Sequence, residues 1–97
     1  MRESPEAIER RIKRSGGKPV RFGAQLTYGH FEVADAVVFE ERDGVRGARA
    51  KVTIATGVLH GCDIDSELIV DGREFEVRDQ RRVDDGALTD IWLSGDA

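Results

Sequence analysis

The chain has 97 residues, of which 39% are hydrophobic and 35% are charged, and its formal net charge is −4. This length fits one domain with a thin core, and no run of apolar residues approaches the length of about 18 that spans a bilayer. The single cysteine, Cys62, excludes a framework of intrachain disulfides, and the N-terminus lacks the apolar run of a signal peptide. We therefore expect one domain that is made in a cytoplasm.

The charged residues are unevenly distributed along the chain. Residues 1–22 carry seven Lys or Arg against three Glu, a net charge of +4. Residues 23–97 carry eight Lys or Arg against sixteen Asp or Glu, a net charge of −8. A basic segment on an acidic body indicates two surfaces with different partners, although a solvated helix on a soluble domain would give the same pattern.

A short helix is predicted at the N-terminus. Ser4 suits the N-cap and Pro5 suits the first helical position, while Ile8 and Ile12 lie one turn apart and form a narrow apolar stripe. The run Ser15-Gly16-Gly17 predicts the end of the helix. Because a helix of about ten residues is marginal in isolation, we expect it to dock on another surface or to fray.

Short extended segments are predicted from Lys18 onward. The candidate strands are residues 19–22, 24–28, 31–41 and 48–55, with Gly23 and Gly29 as breaks between the first three. Apolar residues alternate along the last of these segments, which is typical of a half-buried strand. Two stretches, residues 40–47 and 56–66, are predicted to be long mobile connections.

The strongest local signal is Asp71-Gly72, because Asp-Gly between two strand-like runs favours a two-residue type I′ turn. Turn chemistry and hydrophobic alternation agree on a single register for this hairpin. The predicted cross-strand pairs are Val70 with Arg73 and Leu68 with Phe75, and the predicted buried residues are Leu68, Val70, Phe75 and Val77.

Together these elements predict a mainly β fold, a small antiparallel β barrel or sandwich of about six strands with a short N-terminal helix and long mobile loops. A second turn, at Asp84-Asp85-Gly86, is predicted to join residues 78–83 to a strand at residues 88–93. Residues 1–17 would form a helical arm and residues 18–97 the β-barrel domain. Since the arm offers only two large apolar side chains, we expect it to be separable from the barrel.

The sequence contains no constellation typical of catalysis or metal binding. Cys62 lies two residues after His60, but no third group that would orient a Cys–His pair can be named. These two residues and His30 lack the spacing of a structural zinc site. The acids that begin at Asp63 resemble the start of a calcium loop, but Leu68 occupies the position that requires glycine. We expect a protein that is not an enzyme and that holds no cofactor or metal.

Binding of single-stranded nucleic acid is the alternative from a different functional class, because small β barrels can bind single strands. That mode needs aromatic side chains within a basic groove. Here the densest basic sequence lies in the N-terminal arm and the body is acidic, so the pattern favours this alternative less.

The order of strands and turns in the C-terminal half has a further implication. The hairpin at residues 67–77 is followed by Val83-Asp84-Asp85-Gly86 and then by Ile91-Trp92-Leu93. This arrangement resembles the C-terminal half of the lambda-type bacteriophage head–tail joining (attachment) proteins, with their hairpin, Asp-Asp-Gly turn and closing Leu-Trp-Leu strand. The resemblance extends over residues 51–93 and, more loosely, over the β region before them.

That resemblance implies a non-enzymatic small β barrel that binds as a ring, a hexamer or larger, under the portal of the DNA-filled capsid and presents a surface to the tail. The implied partners are copies of the chain itself, the portal or connector, and tail proteins, with no specific nucleic acid and no membrane. The implied location is the host cytoplasm during assembly and the virion neck afterwards. The nearest alternative is another component of the phage particle, such as a tail terminator.

The partner interface is expected to use the basic arm and the two long connections, because polar segments of this kind can become ordered on docking. The candidate interface residues are Ile8, Arg10, Arg11, Ile12, Arg14, Arg42, Arg46, His60 and Asp63.

Overall fold

The computed structural model describes residues 3–33 and 50–94, and within these ranges the chain forms a closed antiparallel barrel with one N-terminal helix. The elements are α1 (Pro5–Arg14), β1 (Lys18–Phe22), β2 (Gln25–Val33), β3 (Ala50–Ala55), β4 (Glu67–Val70), β5 (Arg73–Val83) and β6 (Leu88–Ser94). The prediction of a small, mainly β barrel of about six strands with a short N-terminal helix is confirmed.

The strands follow the order β1-β2-β3-β6-β5-β4 around the barrel, and β4 returns to β1. This last seam is short, because only Val20 with Val70 and Arg21 with Ile69 are paired across it. Alternate residues of each strand point into the barrel and exclude water from it. The buried core residues are Val20, Ala50, Val52, Ile54, Leu68, Val70, Phe75, Val77, Ile91 and Leu93.

The predicted β4–β5 hairpin is confirmed in its turn and in its register. Val70 pairs with Arg73, and Leu68 pairs with Phe75. Asp71 and Gly72 have φ angles of 52° and 81°, so both turn residues lie in the left-handed region that a type I′ turn requires. Local turn chemistry therefore sets the register of this part of the barrel.

Replacing Gly72 tests this turn. A Cβ atom at Gly72 would meet nothing within 4 Å, so any loss of stability must come from the backbone conformation. We expect Gly72→Val to lower the free energy of unfolding by about 1–2 kcal/mol. Gly72→Asn is the matched control and should lower it less, because Asn tolerates the left-handed region. Equal urea midpoints for all three proteins would contradict the assignment.

Two predicted breaks are wrong, and some predicted segments lie outside the described residues. Gly29 does not end a strand, because β2 runs through it from Gln25 to Val33. Similarly, β5 is one strand of 11 residues and not a hairpin arm followed by a separate strand. Three predicted segments lie wholly or partly outside the described ranges: the connection at residues 40–47, most of the strand at residues 31–41, and the start of the strand at residues 48–55.

A β-bulge divides β5 into two parts with opposite phase. The register against β6 shifts between Val77 and Asp79, so Arg78 is the extra residue. Before the bulge, Phe75 and Val77 face the core. After it Gln80 pairs with the buried Ile91, which brings polar residues to the inside of one barrel end.

Helix α1 packs on the barrel where β2 and β3 separate. Within the described residues, β2 and β3 pair from Val33 with Ala50 to His30 with Thr53. The helix contacts both strands. Ile8 and Ile12 are 5% and 2% exposed and pack with Ala55, next to Tyr28, Val58, Ala87 and Leu88. The helix is thus docked, which is one of the two outcomes that its marginal length predicted. Within the described residues, no helix has the length and apolar character needed to cross a membrane.

Candidate interaction surfaces

The outward side of α1 carries a cluster of cations, which we call the basic helix face: Arg10, Lys13 and Arg14. The helical spacing i, i+3 and i+4 places these residues on one face, where they line a shallow depression. The orientation is fixed by Ile8 and Ile12, which bury the opposite stripe of the helix against the barrel.

The cations of α1 differ in their contacts. Arg11 forms an ion pair with Glu3, and both side chains are about half exposed. The Lys13 ammonium lies 4.9 Å from the centroid of the Tyr28 ring, within the range of a cation–π contact. Within the described residues, Arg10 and Arg14 make no ion pair and no side-chain hydrogen bond. They are therefore the cations of this face most available to a partner.

A second charged surface lies on the outside of β4 and β5 and is called the acidic sheet face: Glu67, Glu74 and Glu76. Glu67 and Glu76 are directly opposite each other in the hairpin register, and Glu74 is opposite Ile69. All three glutamates are exposed. Two cations are nearby: Arg78 lies 3.8 Å from Glu76, and Arg21 lines a shallow groove with Glu67 and Glu74.

This acidic face was not predicted from the sequence, although the register of the hairpin implies it. Extending the predicted pair of Leu68 with Phe75 by one step places Glu67 opposite Glu76. Asp63 and Asp65 continue the negative surface, because the Asp65 N–H donates to the Val77 carbonyl and so places this loop beside β5.

The predicted interface residues fall into separate groups. Ile8 and Ile12 are covered by the chain's own barrel, whereas Arg10, Arg11 and Arg14 are exposed on α1. His60 and Asp63 are also exposed, but they lie on the connection between β3 and β4 and not on α1. Arg42 and Arg46 lie outside the described residues.

The connection at residues 56–66 is attached to the barrel by side-chain hydrogen bonds. Gln25 donates from Nε2 to the His60 carbonyl at 2.8 Å and accepts from the His60 N–H at 2.7 Å. Gln80 donates to the Cys62 carbonyl at 3.0 Å. Val58 and Leu59 pack against the core, so this segment covers one end of the barrel.

A cavity of about 310 Å³ lies between this connection and the barrel end. Its polar side is supplied by Gln80, which follows the bulge in β5, and by the exposed Arg82. The lining also includes Ile54, Leu59, Cys62 and Thr89. The cavity is mixed in character, because both apolar and polar side chains line it.

Cys62 does not have the environment of a nucleophile. Burial raises the pKa of its thiol, and the neighbouring Asp63 carboxylate raises it further. A reactive cysteine needs the opposite shift, since the thiolate is the attacking species. Among the described residues, no hydrogen bond joins Cys62 to His60, and no group of three or more His, Cys, Asp or Glu side chains could hold a metal ion.

Trp92 and the Phe31–Phe75 pair do not form an exposed stacking platform for single-stranded nucleic acid. Trp92 is 3% exposed and has Lys51 and Arg81 against its ring. Phe31 and Phe75 stack edge to face at 5.6 Å. Binding of single strands uses exposed aromatic rings beside a basic groove, so the arrangement does not favour that alternative.

Comparisons of the chain with protein-family models, with curated proteins and with solved structures found no match. The function must therefore be inferred from the residues of the chain itself. Its most distinctive features for that purpose are the two oppositely charged faces and the C-terminal strands.

Proposed function

We propose that this chain is a structural head–tail joining protein of a bacteriophage or prophage particle. In this proposal it docks as a ring under the portal of the DNA-filled capsid and presents a binding surface to the tail. The residues that resemble the joining proteins are the single observation that carries the proposal. They form β4, β5 and β6 with their two turns, and these strands are adjacent in the barrel.

The two turns that carry the resemblance both have left-handed backbone conformations. Asp71 and Gly72 form the left-handed hairpin turn, and Asp84, Asp85 and Gly86 all have positive φ, at 53°, 55° and 88°. Asp and Gly are among the residues that enter this region at low cost. The motif residues on which the resemblance rests therefore also shape the barrel.

The surface chemistry is compatible with a protein that acts by docking. The basic helix face and the acidic sheet face are exposed, and ring subunits need surfaces that pair at high local concentration. An acidic body beside a DNA channel would repel the duplex and let it slide, whereas a basic surface would bind it tightly.

Complementation of a defective lysate tests the proposal. A phage that lacks the protein should package DNA normally but accumulate filled heads and free tails, because docking is the missing step. Addition of the purified protein should then restore infectious particles, counted as plaques. A normal yield of particles without the protein would contradict the proposal.

Replacing the exposed arginines of α1 separates this function from nucleic-acid binding. The variant with Arg10, Arg11 and Arg14 changed to Ala should restore fewer particles than the wild type, while its circular dichroism spectrum stays unchanged. A nucleic-acid-binding module would instead bind oligonucleotides with an affinity that falls steeply with salt, and the same variant would lose that affinity. Salt-sensitive oligonucleotide binding by the wild type would therefore favour the alternative.

A further inference from the structure

Two pairs of like charges occur on the surface of the barrel, and they have opposite signs. Arg10 and Arg14 lie at i and i+4 on α1, where like charges destabilise a helix. Glu67 and Glu76 face each other across the β4–β5 hairpin, where like charges destabilise a sheet. Each pair would be relieved by a surface of the opposite sign.

The described part of the chain does little to neutralise either pair. Arg10 and Arg14 have no ion pair within it, and Glu67 and Glu74 have none. Glu76 has Arg78 at 3.8 Å, with the two side chains 50% and 44% exposed. Arg21 shares a groove with Glu67 and Glu74 but forms no ion pair with either. An exposed pair such as Arg78–Glu76 contributes little.

The two faces lie on opposite sides of the barrel. Helix α1 contacts β2 and β3, whereas the acidic sheet face belongs to β4 and β5. In the strand order β1-β2-β3-β6-β5-β4, the pair β2/β3 and the pair β5/β4 are separated by half the circumference. Neither face can reach the other within one chain.

We propose that the basic helix face of one copy docks on the acidic sheet face of a second copy. Because the two surfaces differ, the contact is heterologous, and a pair of subunits keeps one free acidic face on the first copy and one free basic face on the second. Repetition of such a contact gives a ring when the rotation closes. The inference rests on the proposed function for its setting in the phage particle, but it concerns a contact between copies of the pure protein.

The contact is weak and sensitive to salt because both faces are exposed. Charges at a protein surface are screened beyond about 8–10 Å at physiological ionic strength. The purified protein is therefore a monomer at micromolar concentration, and at low salt it associates with a dissociation constant of about 1 mM. Such a dissociation constant corresponds to a binding free energy of only about 4 kcal/mol. Docking on a portal would raise the local concentration of subunits.

Paired charge reversals test the contact. R10E/R14E reverses the basic helix face, and E67K/E76K reverses the acidic sheet face. Each variant alone presents two faces of the same sign, so sedimentation should show at least about tenfold weaker self-association than for the wild type. An equimolar mixture should associate like the wild type, because every contact between unlike subunits is then complementary.

A matched mixture controls for general attraction between proteins of different net charge. E32K changes the net charge by the same amount as E67K, but Glu32 lies on β2, outside both charged faces. Its mixture with R10E/R14E should therefore associate more weakly than the mixture of E67K with R10E/R14E. Carbodiimide cross-linking of the wild type should join Lys13 to Glu67, Glu74 or Glu76. Equal association of the two mixtures, or a wild type that stays monomeric at about 1 mM and low salt, would overturn the inference.

These outcomes are separate from the complementation result. Restored plaques with no pairing of the pure protein would remove this contact and leave the proposed function in place. Pairing of the pure protein without complementation would remove the proposed function and leave the contact in place.

Discussion

Ile12→Ala should lower the free energy of unfolding by about 2–4 kcal/mol, because it removes most of a buried side chain and leaves a cavity under the helix. The Ile12 side chain is 2% exposed and packs with Ile8 and Ala55. A domain of this size has a total stability of about 5–10 kcal/mol, so the loss would be a large part of it. Urea unfolding followed by circular dichroism measures the change.

Arg14→Ala is the control for Ile12→Ala, since Arg14 lies two residues away on the same helix and is exposed. Its effect should stay within about 0.5 kcal/mol. A similarly small effect for Ile12→Ala would show that α1 contributes little to the barrel. The arm would then be separable, as its small apolar area in the sequence predicts.

Gly29→Ala should lower the free energy of unfolding by about 1–3 kcal/mol through overpacking. A Cβ at Gly29 would lie 2.6 Å from Val52 Cγ2, 2.9 Å from Ile54 Cγ2 and 2.9 Å from the Thr53 carbonyl oxygen. Real Cβ atoms do not approach so closely, so β2 and β3 would have to move apart. Thermal or urea unfolding of the variant measures the penalty.

A double-mutant cycle shows whether the contact with Val52 is the cause. Val52→Ala removes the nearest methyl group, so Gly29→Ala should be less damaging in that background than in the wild type. Part of the penalty should persist because the Thr53 carbonyl stays in place. Strictly additive effects would show that Gly29 is not constrained by Val52.

The features that were predictable from the sequence are those encoded within a few residues. Ser4 and Pro5 mark the start of α1, and the side-chain oxygen of Ser4 accepts from the Ala7 N–H at 3.2 Å. Asp71-Gly72 sets the register of a hairpin whose paired residues are at most nine positions apart in the sequence. In both cases one local rule decides the structure.

The features that were missed depend on contacts between distant parts of the chain. Gly29 is predicted from the sequence to be a break, but it pairs with Lys18 within β2, and Val52 and Ile54 pack where its side chain would be. The bulge at Arg78 arises from the pairing of β5 with β6 and inverts the inward face of the strand. Neither constraint can be read from the neighbouring residues alone.

The candidate site shows the same division. The basic residues of α1 are visible as a charge cluster in the sequence, but their orientation depends on the docking of Ile8 and Ile12. The placement of the acidic sheet face opposite to them follows only from the closed strand order.

The short seam between β1 and β4 affects how the protein behaves when many copies are crowded together. A closed barrel has no edge strand. In this barrel, however, only two residue pairs join β1 and β4, so the backbones of these two strands are nearly exposed as edges. If the seam opened, the backbone donors and acceptors of β1 and β4 would be free to pair with a strand of a neighbouring molecule. The Asp71 N–H, which donates to the Pro19 carbonyl at 2.9 Å, lengthens the closure by one bond and so helps to protect the protein against strand exchange and aggregation.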